Sequence, residues 1–136
     1  MPLPANLAKL AKSYGPSNEA IMKTILCIDD DFAVLETRRC VLESSGYDVV
    51  TAPSGDDGLK AMQGAKKIDL VILDYVMPGM DGEEVAENLK SRFPSLPVIA
   101  MSAVNLPRRM MERVDAYIQK GQGVEVLLST ISRALA

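Results

Sequence analysis

The sequence predicts an α/β protein built on an open parallel sheet, and three observations carry that prediction. Short apolar runs recur along the chain, and they are continuous rather than alternating, as strands covered on both faces require. Amphipathic segments lie between them. Strand and helix alternate about five times, which implies right-handed βαβ crossovers.

The elements follow in order. Ile25-Leu26-Cys27-Ile28 reads as the first strand. Val34, Leu35, Val41 and Leu42 form the apolar face of the first helix, and Gly46 stops it. Val49-Val50 marks the second strand, and a weaker helix runs from about Ser54 to Met62, ended by Gly64. Leu70-Val71-Ile72-Leu73 is the third strand. The next helix places Val85, Leu89 and Phe93 on one face, with Glu83 and Glu84 in its first turn, where the helix dipole favours acids. Val98-Ile99-Ala100-Met101 and Tyr117-Ile118 are the last two strands. Pro107 opens a short helix predicted to reach about Val114 or to be partly unwound. Val124, Leu127, Leu128, Ile131 and Leu135 form the stripe of the final helix.

Composition narrows the function classes. The chain has 136 residues, one domain's worth, with a net charge of −3. Nothing in that charge suggests affinity for nucleic-acid backbones, which needs clustered Lys and Arg. No apolar run approaches the roughly 20 residues that span a bilayer, and no secretory signal is visible. There is no His, which removes His-based triads and His-ligated metals. Cys27 and Cys40 read as reduced, buried thiols of a cytosolic protein. Residues 1–22 are rich in Pro, Gly, Ser and Asn and read as an N-terminal extension, either a disordered tail or a segment foreign to the natural chain, with a docking helix as the alternative. The domain itself is predicted over residues 23–136.

Sites in an open α/β sheet form beyond the carboxyl ends of the strands. Asp29, Asp30 and Asp31 follow the first strand, Asp74 the third, Ser102 the fourth and Lys120 the fifth. Asp29, Asp30 and Asp74 would then lie within a few ångströms of one another. Like charges that close need a proton or a cation between them. Hard oxygen ligands without His or Cys select Mg²⁺ or Mn²⁺. Asp31 suits a helix N-cap, a role that by itself also explains the acidic run. Lys120 beside the acids can form an ion pair and hold a phosphoryl oxygen, and Ser102 can donate a hydrogen bond to the same group.

These residues resemble the response-regulator receiver domains of two-component signalling, stand-alone and chemotaxis-regulator-like. The likeness runs from Ile28-Asp29-Asp30-Asp31 through Asp74-Tyr75-Val76-Met77-Pro78-Gly79-Met80-Asp81-Gly82 and Met101-Ser102-Ala103 to Tyr117-Ile118-Gln119-Lys120. The D-x-x-M-P-x-M-D-G stretch is its most specific part. The resemblance implies a flavodoxin-like five-stranded sheet of order 2-1-3-4-5. It implies Asp74 as phosphoacceptor, and Asp29, Asp30, Asp74 and the Val76 backbone carbonyl as Mg²⁺ ligands. Ser102 and Lys120 would bind the phosphoryl group, and Tyr117 would be the aromatic that turns inward with Ser102. A histidine kinase or histidine phosphotransfer protein would be the donor. A downstream protein would read the face made by the fourth helix, fifth strand and fifth helix. Such a chain catalyses only its own phosphorylation and dephosphorylation, works in the cytoplasm as a monomer or weak dimer, and touches neither DNA nor membrane. Only Ala136 follows the last helix, leaving no room for a helix-turn-helix.

Two departures stand out. Gly121 follows Lys120 where the family usually has Pro, so a trans peptide or a looser loop is expected there. The stretch from Ser102 to Lys120 is short by about one helical turn. Met101, Val104, Met110 and Met111 in this stretch are expected in the core, with exposure to a partner as the alternative. A scaffold that is never phosphorylated is the competing function. A haloacid-dehalogenase-like phosphatase is a third, but its D-x-D-x-T pattern lacks the Thr here: Asp29-Asp30-Asp31 runs on into Phe32.

Overall fold

The structure, a computed structural model, describes residues 4–6, 22–75 and 81–136. The expectations for the N-terminal extension and for Val76 therefore fall almost wholly outside the described residues. The described domain alternates β1 (Thr24–Ile28), α1 (Phe32–Ser44), β2 (Asp48–Ala52), α2 (Gly55–Ala61), β3 (Leu70–Asp74), α3 (Gly82–Arg92), β4 (Val98–Ser102), α4 (Arg108–Met111), β5 (Ala116–Gln119) and α5 (Val124–Leu135). The strands form one parallel sheet of order β2-β1-β3-β4-β5, as the sequence predicts.

Side chains along a strand alternate between its faces, so a strand covered on both sides must be apolar at every position. Ile25 and Cys27 of β1, Leu70 and Ile72 of β3 and Ile118 of β5 join Leu35, Leu42, Leu128 and Ile131 in the core beneath α1 and α5. Leu26 and Ile28, Val71 and Leu73, and Val98 and Ala100 turn the other way, into a second core with Val85, Leu89 and Met110.

Local chemistry sets the helix ends. Asp31 caps α1 by accepting the Val34 amide, as predicted, and Gly46 follows the helix with φ 91°, a left-handed conformation that glycine adopts without cost. Asp81 caps α3 by accepting the Glu84 amide at 2.8 Å. Phe93 does not extend the apolar face of α3: it is the C-cap residue, leaves helical geometry at φ −133° and ψ 72°, and is 37% exposed.

The fourth helix is short and gives way to turn before Val114, in line with the partly unwound alternative. It spans four residues. Asp115 explains the early stop. Its amide donates to Val98 O and its carboxylate accepts the Val98 amide, both at 2.8 Å, so the chain is drawn into β5 before another turn can form. Met110 and Met101 are buried as expected, whereas Val104 and Met111 are more than half exposed. Cys27 is buried and Cys40 only half-buried; neither forms a disulfide.

Candidate functional site

Parallel strands in register deliver their carboxyl ends to one edge. Asp74 ends β3 opposite Met101, and Ser102 ends β4 opposite Gln119. Asp29 follows β1 directly and Lys120 follows β5. Asp29, Asp30, Asp31, Asp74, Ala103, Val104 and Lys120 line a cavity of about 380 Å³ at this edge.

The carboxylates meet as predicted. Asp29, Asp30 and Asp74 each offer an oxygen within 4.8 Å of the others. Asp29 and Asp74 are buried, and Asp30 is exposed. Lys120 closes the group: its Nζ stands 3.2 Å from Asp74 Oδ1 and 3.5 Å from Asp29 Oδ2. Its backbone is tied as well, since the Lys120 amide donates to Ser102 O at 2.7 Å.

The loop after Lys120 is closed rather than loose. The Lys120–Gly121 peptide is trans, and Gly121 takes φ 98°, which proline cannot adopt. The Gln119 amide donates to the Gln122 side chain at 2.8 Å and the Gln122 amide to Gln119 O at 3.2 Å.

The acidic group fits a hard divalent cation. Asp29 Oδ1 accepts the Asp31 amide at 3.0 Å, but the buried Oδ2 accepts no hydrogen bond. A buried carboxylate oxygen without a donor is costly unless a charge faces it. Six-coordinate Mg²⁺ with ligands at about 2.1 Å places opposite oxygens about 4.2 Å apart. Three carboxylate oxygens from separate residues within 4.8 Å of one another are the kind of hard donor set such an ion takes.

Ser102 and Tyr117 take a different place from the acids. Ser102 is buried at the end of β4, and its Oγ accepts the Val104 amide at 3.1 Å. The Tyr117 hydroxyl donates to Val104 O, also at 3.1 Å. One residue, Val104, thus links the two predicted switch side chains, and neither of them lines the cavity.

The family model for the response regulator receiver domain matches residues 25–132. The chain belongs to this family. Its receiver domain is 36% identical over 115 residues to the response regulator MprA of Mycobacterium leprae, covering 82% of this chain and 50% of that protein. It is 37% identical over 81 residues, 60% of this chain, to the alkaline phosphatase synthesis transcriptional regulatory protein PhoP of Bacillus subtilis. The chain covers 50% of MprA's length and 33% of PhoP's. Among solved structures, the response regulator TrrA of Thermotoga maritima, in complex with Mg(2+)-BeF, superposes with a TM-score of 0.78 at 32% identity, covering 84% of this chain and 100% of that one. TrrA in complex with the histidine kinase ThkA superposes with a TM-score of 0.77.

Two features of the receiver site escaped the sequence reading. Gly82 begins α3 hard against the end of β3, where an added Cβ would sit 2.7 Å from Tyr75 Cα and O and 2.9 Å from Asp74 O. Only glycine lets the helix approach the end of β3 this closely. The second is Arg38, which is only 7% exposed and places Nη1 3.7 Å from Asp29 Oδ2. Its signal was present in the sequence: it lies three residues after Leu35 and three and four before Val41 and Leu42, within the buried stripe of α1.

Proposed function

We propose that this receiver domain is a phosphorylation-dependent signalling switch. It accepts a phosphoryl group on Asp74 from a histidine kinase or histidine phosphotransfer protein, with Mg²⁺ or Mn²⁺, and changes its α4-β5-α5 surface to control a partner. The juxtaposition of Asp74, Lys120 and the buried Asp29 oxygen, which has ion-pair partners but accepts no hydrogen bond, carries this reading. Asp29, Asp30, Asp74 and the Val76 carbonyl would hold the metal, which when bound neutralises charge on the transferring oxygens.

The chain's own residues do the rest. An Asp74 carboxylate oxygen attacks phosphorus in line, and the P–N bond of the donor breaks with its electron pair returning to the imidazole. Lys120, already 3.2 Å from Asp74 Oδ1, steadies the group as charge builds. A movement of the Ser102 side chain towards the new phosphoryl oxygens, to which its free O–H can donate, would draw its Oγ away from the Val104 amide. Val104 would then loosen its hold on Tyr117, which carries the change out to β5.

The kinase complex of TrrA supports the donor class, and its Mg(2+)-BeF complex supports the metal. The net charge of −3 supports a protein rather than a DNA partner for this domain. Among the described residues no helix is long and apolar enough to cross a membrane. The likeness to receiver domains supports a cytoplasmic monomer or weak dimer.

Incubation with a small acyl-phosphate donor and Mg²⁺, read by intact mass, tests the reading. One added phosphoryl group that Asp74→Ala loses is the expected result. No added mass, under conditions where a known receiver is modified and with a stable phosphoryl mimic also without effect, would leave the non-phosphorylated scaffold.

A further inference from the structure

At the amino end of the sheet, opposite the acidic edge, the domain leaves a cavity of about 440 Å³. Met62, Ile68, Phe93, Pro94, Leu96 and Pro97 line it, where the ends of α2 and α3 meet the starts of β3 and β4. Ile68 and Leu96 are buried, whereas Phe93 and Pro94 stand exposed. An aromatic ring left in water beside buried aliphatics is apolar surface that a covering segment would bury.

The chain itself supplies such a segment. Residues 7–21 lie outside the described residues and join the domain at Met22. Two residues on, the Thr24 amide donates to Asp69 Oδ2 and the Asp69 amide donates to Thr24 O, both at 2.8 Å, and Asp69 lines the cavity. The N-terminal segment therefore enters the domain at the cavity's rim, where Met22 is itself exposed. Upstream, Leu3, Leu7, Leu10 and Tyr14 fall at helical spacing and mark one stripe. Ala5 and Asn6 are helical and exposed, and neither belongs to that stripe. Lys9 and Lys12 also fall off it, so a helix that lays the stripe into the cavity keeps both ammonium groups in water, away from Lys67 at the rim. Residues 15–21 connect the stripe to Met22. They span about 25 Å at most, and Gly15-Pro16-Ser17-Asn18 gives them a turn on which to fold back.

We propose that this cavity is the docking site of the chain's own N-terminal segment, with Leu7 and Leu10 seated against Met62, Phe93 and Leu96, and Leu3 and Tyr14 flanking them. The mode is an amphipathic helix in an apolar groove. The tether selects this occupant over a separate protein: a short connection holds the stripe near the groove at millimolar effective concentration, so a modest apolar contact is enough to populate the docked state. The docked segment covers the amino end of the sheet and leaves the acidic edge open. The inference is independent of whether Asp74 is phosphorylated.

Fluorescence of the full chain tests it. The chain has no Trp, so Tyr14→Trp places a single indole on the stripe. Its emission should be shifted to the blue in dilute solution, and the shift should be lost when either Leu7→Asp or Phe93→Asp is added. If Phe93→Asp fails to fold by circular dichroism, Leu7→Asp in the otherwise natural chain makes the comparison from outside the domain: it should speed amide exchange at Leu96, whose N–H donates to Phe93 O at 3.0 Å, by several-fold. Emission at the position of a fully solvated indole overturns the docking. A blue shift that persists in folded Phe93→Asp, or Leu96 exchange unchanged by Leu7→Asp, puts the segment elsewhere and also overturns it. A blue shift that grows with protein concentration assigns the occupant to a second copy and overturns the tethered arrangement.

Discussion

The two helices that flank β5 are held by different forces. α5 is twelve residues long and buries Leu127, Leu128 and Ile131 against the sheet. α4 is four residues long, begins at Pro107 without a side-chain cap, and buries only Met110. Much of what fixes it is charge. Arg109 Nε pairs with Glu83 at 2.8 Å, and Arg113 Nη1 reaches Glu83 at 3.3 Å and Glu87 at 2.9 Å, so the α4 turn is tied to α3 by ion pairs across the surface. Apolar burial is insensitive to salt and hard to undo locally, whereas exposed ion pairs are weak and screened. Of two neighbouring segments on one proposed signalling face, one is locked to the sheet and the other is left free to rearrange at small cost.

The largest effect should come from α5. Leu128→Ala removes a fully buried side chain and is expected to lower unfolding free energy by about 2–5 kcal/mol, measured by urea denaturation. A loss below about 1 kcal/mol would show that α5 is not the locked partner.

Alkaline pH should next loosen the α1/α5 side selectively. Burial pushes the Cys27 thiol up to about 12 from an ordinary 9.0, and it also raises Tyr47 in the same core. The folded state thus keeps a proton that the unfolded chain releases. Stability is complete below pH 9 and falls as pH rises towards 12, by up to about 1.4 kcal/mol per pH unit for each such proton. Cys27→Val should flatten that decline, and an unchanged slope would assign it to other groups.

A smaller effect separates the two helices by salt. Glu83→Gln, or wild type in high salt, should speed amide exchange in the Arg108–Met111 turn while leaving α5 unaffected. Equal acceleration in both would erase the distinction. Smallest of all, Met111→Ser, at a position 51% exposed, should change stability by no more than about 0.5 kcal/mol while weakening any partner that docks on this face.

The α5 stripe was legible because five apolar residues at helical spacing specify one face and nothing else competes. The end of α4 was not legible. Nothing in the local sequence after Met111 announces that Asp115 bonds to Val98, a residue from another strand. Phe93 shows the same limit: it keeps the helical period, but the helix ends there. For the site, the acids, Ser102 and Lys120 could be located because each follows a recognisable strand. The link of Ser102 to Tyr117 through Val104 could not be, since it depends on how two loops meet.

What the sequence by itself determined is the parallel sheet, its five helices and the edge where Asp29, Asp30, Asp74 and Lys120 assemble, because periodicity and strand ends are local properties of the chain. What only the tertiary structure decided is the length of α4, the trans and closed loop at Gly121, the close approach of Gly82 to β3, and the burial of Arg38 against Asp29. Each depends on a contact between residues distant in the chain, and the free energy of such a contact is set by the packing around it rather than by the residues' own preferences.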